Sequence, residues 1–255
     1  MISIAILGSG NVAQNLFEAF STKKEVSIVQ VVGRKTSSLA YFKGRVNLAT
    51  YTDELQPADV YIMAISDDAI CDVSAKLKLS GLLVHTSGAI ELSDLKNHAQ
   101  IGVFYPIQTF TAGKLVDFSN IPICIEANNK DNLELLRRLG SILSTSVTSI
   151  NSKQRKALHL AAVFANNFTN YMYTIGQDIC VQNGLEFSLL HPLIIETAEK
   201  VSTMNPFDAQ TGPAKRGDQK TLHAHLNLLK DKNHREIYTL LSNHIKECHQ
   251  PKKLT

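Results

Sequence analysis

Cysteine is scarce and scattered: Cys71, Cys124, Cys180 and Cys248 stand far apart with no paired spacing. That pattern argues against a disulfide frame or a zinc site and fits reduced thiols in a cytoplasmic protein. Long apolar runs are missing too. None approaches ~18 residues, so no segment is expected to span a membrane. The chain opens directly into a strand-like stretch where a secretory signal would otherwise stand. Charge of one sign is also in short supply. The 26 Lys and Arg against 23 Asp and Glu leave a net charge of +3. This is too mild to draw nucleic acid, and the basic residues are dispersed apart from a small Lys252-Lys253 tail. There is no internal repeat and no low-complexity tract. What remains is a chain of 255 residues with 44% hydrophobic and 19% charged content, enough for one large globular domain or two modest ones.

The most informative stretch is Ile2 to Ala13. Five or six apolar residues lead into Gly8-Ser9-Gly10-Asn11-Val12-Ala13, the Gly-x-Gly-x-x-Ala form of the dinucleotide fingerprint. Gly8 is expected to make the tight turn, and Gly10 to leave no side chain between backbone and pyrophosphate. Ala13 would let the following helix lie close on its strand. Phosphates would then meet the unpaired amides of Asn11 and Val12 at a helix N-terminus, where the macrodipole favours negative charge.

Up to about residue 150 the patterning alternates. A helix is expected from Asn11 to about Ser21, then a β-branched strand from Val26 to Val32 closed by Gly33. Val60 to Ile65 is continuously apolar, as in a strand buried on both faces. A polar helix (Asp67 to about Leu79) precedes a strand at Leu82 to His85. Further runs at Ile101–Phe104 and Ile121–Ile125, a helix from Asn132 to Leu143 and a strand from Ser146 to Ile150 complete the series. Strands alternating with helices predict an α/β fold with a doubly wound parallel sheet, a Rossmann domain over residues 1–150.

From residue 151 to 255 the pattern is all-helical and reads as a second domain. Asn151 or Ser152 can cap a helix running to about Asn183, where Gly184 ends it. Leu158, Ala161, Ala165, Phe168, Met172, Ile175 and Ile179 keep heptad spacing along it, so a continuous seam is expected against another long helix. A helix after His191-Pro192, a loop from Asn205 to Gly217, a helix capped by Asp218 and a last one from about His234 to His249 follow. A seam this long in about 105 residues predicts a homodimer through the C-terminal helices.

NAD-binding folds usually carry a carboxylate at the end of the second strand for the ribose hydroxyls. Here that position reads Gly33-Arg34-Lys35-Thr36-Ser37-Ser38. Two cations and three hydroxyls replace the acid, which favours NADP(H), with Arg34, Lys35 and Ser37 around the 2′-phosphate.

Further blocks carry a family resemblance. Asp59-Val60-Tyr61-Ile62-Met63-Ala64-Ile65-Ser66-Asp67-Asp68-Ala69-Ile70, His85-Thr86-Ser87-Gly88-Ala89 and Tyr105-Pro106-Ile107-Gln108-Thr109-Phe110 come first. Leu158-His159-Leu160-Ala161-Ala162-Val163-Phe164-Ala165-Asn166-Asn167 and Thr211-Gly212-Pro213-Ala214-Lys215-Arg216-Gly217-Asp218 follow. In this order they resemble a family assigned as NADP oxidoreductases. Its members join a Rossmann-like domain to a helical domain of unknown function. That helical domain is related to the 6-phosphogluconate dehydrogenase C-terminal domain, and the family to pyrroline-carboxylate reductase and the β-hydroxyacid dehydrogenases. The resemblance covers nearly the whole chain and implies an enzyme acting on a small molecule. The chain departs from the pattern at Tyr105, where relatives have His before the proline. The acid/base lysine of hydroxyisobutyrate-type relatives also has no counterpart, Ala162 and Val163 occupying the nearby positions.

Ile65 and Ser66 should line the path from diphosphate to nicotinamide, with Asp67 and Asp68 capping the next helix. Thr86, Ser87 and Gly88 would let the nicotinamide approach the backbone, with Ser87 bonding substrate or carboxamide. Pro106, Gln108 and Thr109 would close the other side. Hydride transfer to C=O or C=N needs a proton at the heteroatom, and His159 is the candidate donor. Asn166 and Asn170 return to nearly the same helix face and could orient substrate. Thr211 and Arg216 belong to a loop where Arg216 either grips a substrate carboxylate or pins the loop with Asp218. His223 and His225 lie on different faces of one helix and make poor metal ligands; no metal is expected. The predicted chemistry is hydride transfer between NADP(H) and a small C=O or C=N substrate in a cleft between the domains. Alternatives are a non-catalytic NADP(H) sensor acting through its dimer helices, and a deazaflavin as hydride carrier.

Overall fold

The computed structural model describes residues 1–249; the Lys252-Lys253 tail lies outside them. Contacts divide the chain into two compact units, Met1–Phe164 and Ala165 onward.

The N-terminal unit is built on eight strands: β1 (Ile2–Leu7), β2 (Val26–Gly33), β3 (Asn47–Thr50), β4 (Val60–Met63), β5 (Leu82–His85), β6 (Ile101–Pro106), β7 (Ile123–Ala127) and β8 (Val147–Ser149). Their order across the sheet is β3-β2-β1-β4-β5-β6-β7-β8. The chain winds outward from β1 in one direction and then restarts at β4 in the other, so the switch point lies between β1 and β4. The helices of this unit are α1 (Asn11–Ser21), α2 (Asp67–Ser74), α3 (Lys130–Leu143) and α4 (Ser152–Ala162). Alternate strand residues face two apolar layers. One gathers Ile4, Ile6, Leu16, Phe20, Ile62, Phe104 and Leu139; the other gathers Ala5, Leu7, Tyr61, Met63 and Leu83. Strands sandwiched in this way read as continuous apolar runs, and Val60–Met63 is buried at every position. Ala13 is wholly buried in the first layer, which brings α1 close to the sheet.

The sheet departs from an all-parallel plan at one place: β7 runs antiparallel to β6. The intervening segment makes no crossover helix. It passes over the N-terminal end of α1, where Asn11 Nδ2 donates to the Phe110 carbonyl at 2.9 Å and Asn15 Nδ2 to the Lys114 carbonyl at 3.3 Å. Asn15 Oδ1 also accepts from the Val116 amide at 2.9 Å. Held at the carboxyl edge, the chain re-enters the sheet from that edge, and the returning strand has to be antiparallel. Two expected boundaries also shrink. α2 stops at Ser74 instead of near Leu79, and β4 ends at Met63. The strand β3 and a 3₁₀ segment at Thr36–Phe42 had no clear signal in the sequence.

Asn151 starts α4 with a capping box. Its side chain accepts from the Gln154 amide, and the Gln154 side chain accepts from the Asn151 amide, both at 2.9 Å. The helical path continues through a π-helical turn, Val163–Phe168, into α5 (Thr169–Gln182). A π turn adds a residue to the local repeat, so the heptad seam expected from Leu158 to Ile179 is not continuous. Gly184, at φ 67°, closes α5 as expected. The C-terminal unit continues with α6 (His191–Thr203), α7 (Pro206–Ala209), α8 (Pro213–Arg216), α9 (Gln219–Leu228) and α10 (Lys232–His249). Two short helices thus replace the expected loop between Asn205 and Gly217. Asp218 caps α9 by accepting from the Thr221 amide at 3.1 Å. No helix of the described residues is long and apolar enough to cross a membrane.

Candidate active site

A cleft of about 460 Å³ lies at the carboxyl ends of β1, β2 and β4. Its floor is the turn from Gly8 to Val12. Gly8 sits at φ 141°, and a Cβ there would stand 2.1 Å from the Ala64 carbonyl oxygen, so any side chain would push β1 and β4 apart. Gly10 differs: a Cβ there would meet nothing within 4 Å. Its lack of a side chain therefore serves no packing need among the described residues and keeps the cleft open to an outside group. Gly10 is the N-cap of α1 and offers no side-chain cap, and no acidic residue stands in the first turn. The Asn11, Val12 and Ala13 amides find no acceptor among the described residues. Unpaired amides, an open approach and a positive helix end suit a diphosphate.

At one end of the cleft stand Gly33, Arg34 and Tyr51. Strand register explains the pairing. Gly33 lies opposite Thr50 on β3, so the residues that follow, Arg34 and Tyr51, leave adjacent strands side by side. Arg34 is exposed and makes no ion pair among the described residues. Burial pushes the Tyr51 phenol up to about 12, against a smaller opposing pull from Arg34. Lys35 and Ser37 are exposed beside Arg34 but do not line the cleft. At the other end, Ile65, Ser66 and Phe110 form the wall. Ser66 is the N-cap of α2, and Asp67 and Asp68 occupy its first turn without accepting a capping bond; their charges act on the helix end instead.

Beyond this end, a second cluster gathers at the edges of β5 and β6. His159 on α4 lies against the backbone of Gly88, where a Cβ would stand 2.6 Å from Nδ1. The same nitrogen is 3.2 Å from the Tyr105 hydroxyl at the end of β6. Burial, followed by the Cys124 thiol behind it, raises the Tyr105 phenol above its ordinary value. One turn before His159, the wholly buried Arg155 guanidinium donates to the Glu126 carboxylate on β7, to the Ile90 carbonyl and to Ser152 Oγ. This anchors α4 to the sheet and sets where His159 falls. His85 is also fully buried. The Ser87 amide donates to its Nδ1 at 3.1 Å, and burial together with the nearby Arg155 charge pushes its pKa down to about 3. Among the described residues, no three His, Cys, Asp or Glu side chains are placed to hold a metal ion.

Several expected site residues are placed differently. Ser87 is buried, and its Oγ accepts from the Ala89 and Ile90 amides at 3.0 and 3.1 Å, so it organises its own turn. Thr86 Oγ1 donates to the Met63 carbonyl at 3.3 Å. Gln108 Oε1 accepts from the neighbouring Thr109 amide at 2.8 Å, and Pro106, Gln108 and Thr109 do not line the cleft; Phe110 does. Asn11 lines it, and its side chain holds the Phe110 loop. Asn166, Asn170, Thr211 and Arg216 belong to the C-terminal unit, all exposed. The Asp218 carboxyl is held below its usual range chiefly by Thr221, with Arg216 a lesser influence. Tyr51 and Phe110 went unread in the sequence. Tyr51 follows a strand too short to detect, and Phe110 reaches the wall on a segment held by the Asn11 and Asn15 bonds and by its own stacking on Phe118.

The mostly parallel switch-point sheet with its glycine cradle places the chain in the Rossmann-like class. The family described as NADP oxidoreductase, coenzyme F420-dependent, matches residues 3–85, and a domain of unknown function, DUF2520, matches residues 121–245. A "putative NADP oxidoreductase" of Bacteroides fragilis is 38% identical, with 96% of this chain and 98% of that one covered and a TM-score of 0.85. The chain belongs to this family of NADP oxidoreductases. Two more distant structures share the fold. The 1-pyrroline-5-carboxylate reductase of Streptococcus pyogenes is 14% identical, covering 96% of this chain and 98% of that one at a TM-score of 0.63. A reductive aminase of Aspergillus terreus, solved with NADPH and ethyl levulinate, is 13% identical, covering 97% and 93% at a TM-score of 0.65. No curated protein matches the chain.

Proposed function

We propose that this chain is an NADP(H)-dependent oxidoreductase that reduces, or in reverse forms, a C=O or C=N bond of a small molecule. The observation that carries the cofactor reading is the cleft itself. The open Cα of Gly10 and the unpaired α1 amides face the space where a pyrophosphate fits, and an unpaired Arg34 stands at the ribose end where NAD folds carry an acid. Arg34 would grip the 2′-phosphate, with Lys35 and Ser37 adding charge and a hydroxyl from the same exposed turn. Ile65 and Ser66 would bound the nicotinamide end, and Phe110 would shield it from water. When bound, the nicotinamide supplies the hydride. His159 delivers the proton to the heteroatom, and the Arg155–Glu126 pair holds its helix in place. Asn166, Asn170, Thr211 and Arg216 are the residues of the C-terminal unit proposed to meet substrate.

Assembly as a homodimer through the C-terminal helices belongs to the same reading. Leu185, Leu193, Ile195 and Leu240 are each more than half exposed in the single chain, an apolar load that a partner would cover. Four free thiols suit a cytosolic setting.

The test is a set of titrations of the full chain with NADPH, NADH and coenzyme F420, followed by NADPH oxidation against oxo acids, cyclic imines and aldehydes. NADPH is expected to bind at least tenfold more tightly than NADH, and Arg34→Gln to remove the difference. Equal affinities would overturn the NADP assignment. Preference for F420, named in the description of the family that matches residues 3–85, would make a deazaflavin the hydride carrier. Tight binding without turnover of any substrate would leave a sensor.

A further inference from the structure

We propose that Tyr105 is the positioning residue for His159: its hydroxyl holds Nδ1 and leaves Nε2 as the nitrogen that exchanges a proton with substrate. The inference rests on the reading of His159 as proton donor and deepens it.

Several features of the fold converge on this pair. The Tyr105 hydroxyl lies 3.2 Å from His159 Nδ1, and the two rings meet edge-on, 6.2 Å apart at 72°. The imidazole rests on the Gly88 backbone, where even one added carbon would come 2.6 Å from Nδ1. Tyr105 is only 9% exposed, and its hydroxyl has no second partner among the described residues. Leu158, next to His159 on α4, packs with Val103, Tyr105 and Cys124 and closes the apolar side of the pair. The Nε2 atom of His159 has no hydrogen-bond partner among the described residues.

The chemistry of the two groups fixes the direction of the bond. A phenol is a good O–H donor and a poor acceptor, whereas the unprotonated nitrogen of a neutral imidazole is a good acceptor. With no other acceptor at hand, the Tyr105 proton points at Nδ1, and the proton of the neutral ring is on Nε2. When the ring takes a second proton, Nδ1–H donates to the phenol oxygen across the same contact. Tyr105 therefore serves both protonation states, and phenylalanine would serve neither.

Reduction of a C=O or C=N bond places a hydride, from the reduced nicotinamide, on carbon and a proton on oxygen or nitrogen. In the proposed step that proton leaves Nε2 of the His159 imidazolium, and the N–H bond breaks as the O–H or N–H bond forms. The ring ends neutral with its proton on Nδ1, hydrogen-bonded to Tyr105, which itself neither gains nor loses a proton. The reaction thus takes one hydride and one proton, and reprotonation of Nε2 from solvent resets the pair.

The pair can be read without any substrate. Full-length protein labelled with ¹⁵N in its histidine rings would be observed at pH 8.5, where an ordinary imidazole is neutral, and His159 assigned by the signals lost in His159→Gln. The expected wild-type pattern is a protonated Nε2 and an unprotonated Nδ1. In Tyr105→Phe the two nitrogen shifts should converge as the ring exchanges between tautomers, while NADPH affinity stays within about twofold. Unmoved nitrogens in Tyr105→Phe would overturn the proposal. So would a wild-type spectrum with the proton on Nδ1, a result that needs no variant to fold. Failure of NADPH to bind would defeat the cofactor reading alone, since the tautomer measurement reads the pair and not the activity.

Discussion

Replacing Gly88 with alanine adds a single carbon where the structure has no room for it. The new Cβ would stand 2.6 Å from His159 Nδ1, 2.7 Å from its Cγ and 2.9 Å from its Cβ. Ordinary contact begins near 3.4 Å, so the ring has to retreat by about 0.8 Å. Turning the imidazole to another rotamer relieves Nδ1 and Cγ but not the His159 Cβ, which is fixed to the helix, so α4 itself must shift. Overpacking of this kind costs about 1–3 kcal/mol, and losing the Tyr105 bond adds about 1 kcal/mol. Together these should lower Tm by roughly 4–16 °C for a unit of this size. The backbone of Gly88 is not at positive φ, so alanine brings no conformational strain to confuse the result. Thermal melts followed by circular dichroism would measure the loss, and NADPH titration would serve as the control, because Gly88 does not line the nucleotide cleft. Gly88→Ala is expected to retain NADPH affinity within about twofold while the His159 ring signals move. A variant that melts within a degree of wild type with those signals unmoved would refute the packing of His159 on this turn.

Glu126→Gln would leave the buried Arg155 guanidinium without its counter-charge and should cost about 3–5 kcal/mol in urea denaturation. Adding Arg155→Met should recover part of that loss, and a double variant no more stable than the single one would contradict the pairing. His85 makes stability depend on pH. The unfolded ring takes up a proton near pH 6.5, whereas burial keeps the folded ring neutral down to about 3. The unfolded state therefore binds more protons in that window, and stability falls on acidification from pH 6.5 with a slope approaching ~1.4 kcal/mol per pH unit; His85→Gln should flatten that slope in urea midpoints. Tyr51→Ala removes an aromatic face beside Arg34 and should weaken NADPH and NADH alike, by about 5- to 150-fold if adenine stacks there. Isothermal titration with both nucleotides would show a selective loss if the hydroxyl, and not the ring, makes the contact.

What the sequence by itself determined is what neighbouring residues decide among themselves. The strand-turn-helix from Ile2 to Ser21 is legible because Gly8 and Gly10 have no side chain and Ala13 a very small one. Buried β4 and β5 are legible because a strand covered on both faces is apolar throughout. A cap at Asn151 or Ser152 and the Asp218 cap are legible because such bonds close over three residues. The tertiary structure decided whatever joins distant positions. Asn11 finds the Phe110 carbonyl across 99 residues, and that bond helps hold the segment that turns β7 antiparallel. Tyr105 finds His159 across 54 residues, because β6 and α4 bring them to one turn at Gly88. Ser87 Oγ accepts two amides of its own turn, a pairing that no stretch of sequence announces. Periodicity and capping act over a few residues of chain, whereas strand order and the path of a loop across the sheet edge set these partners, and one stretch of sequence carries no record of either.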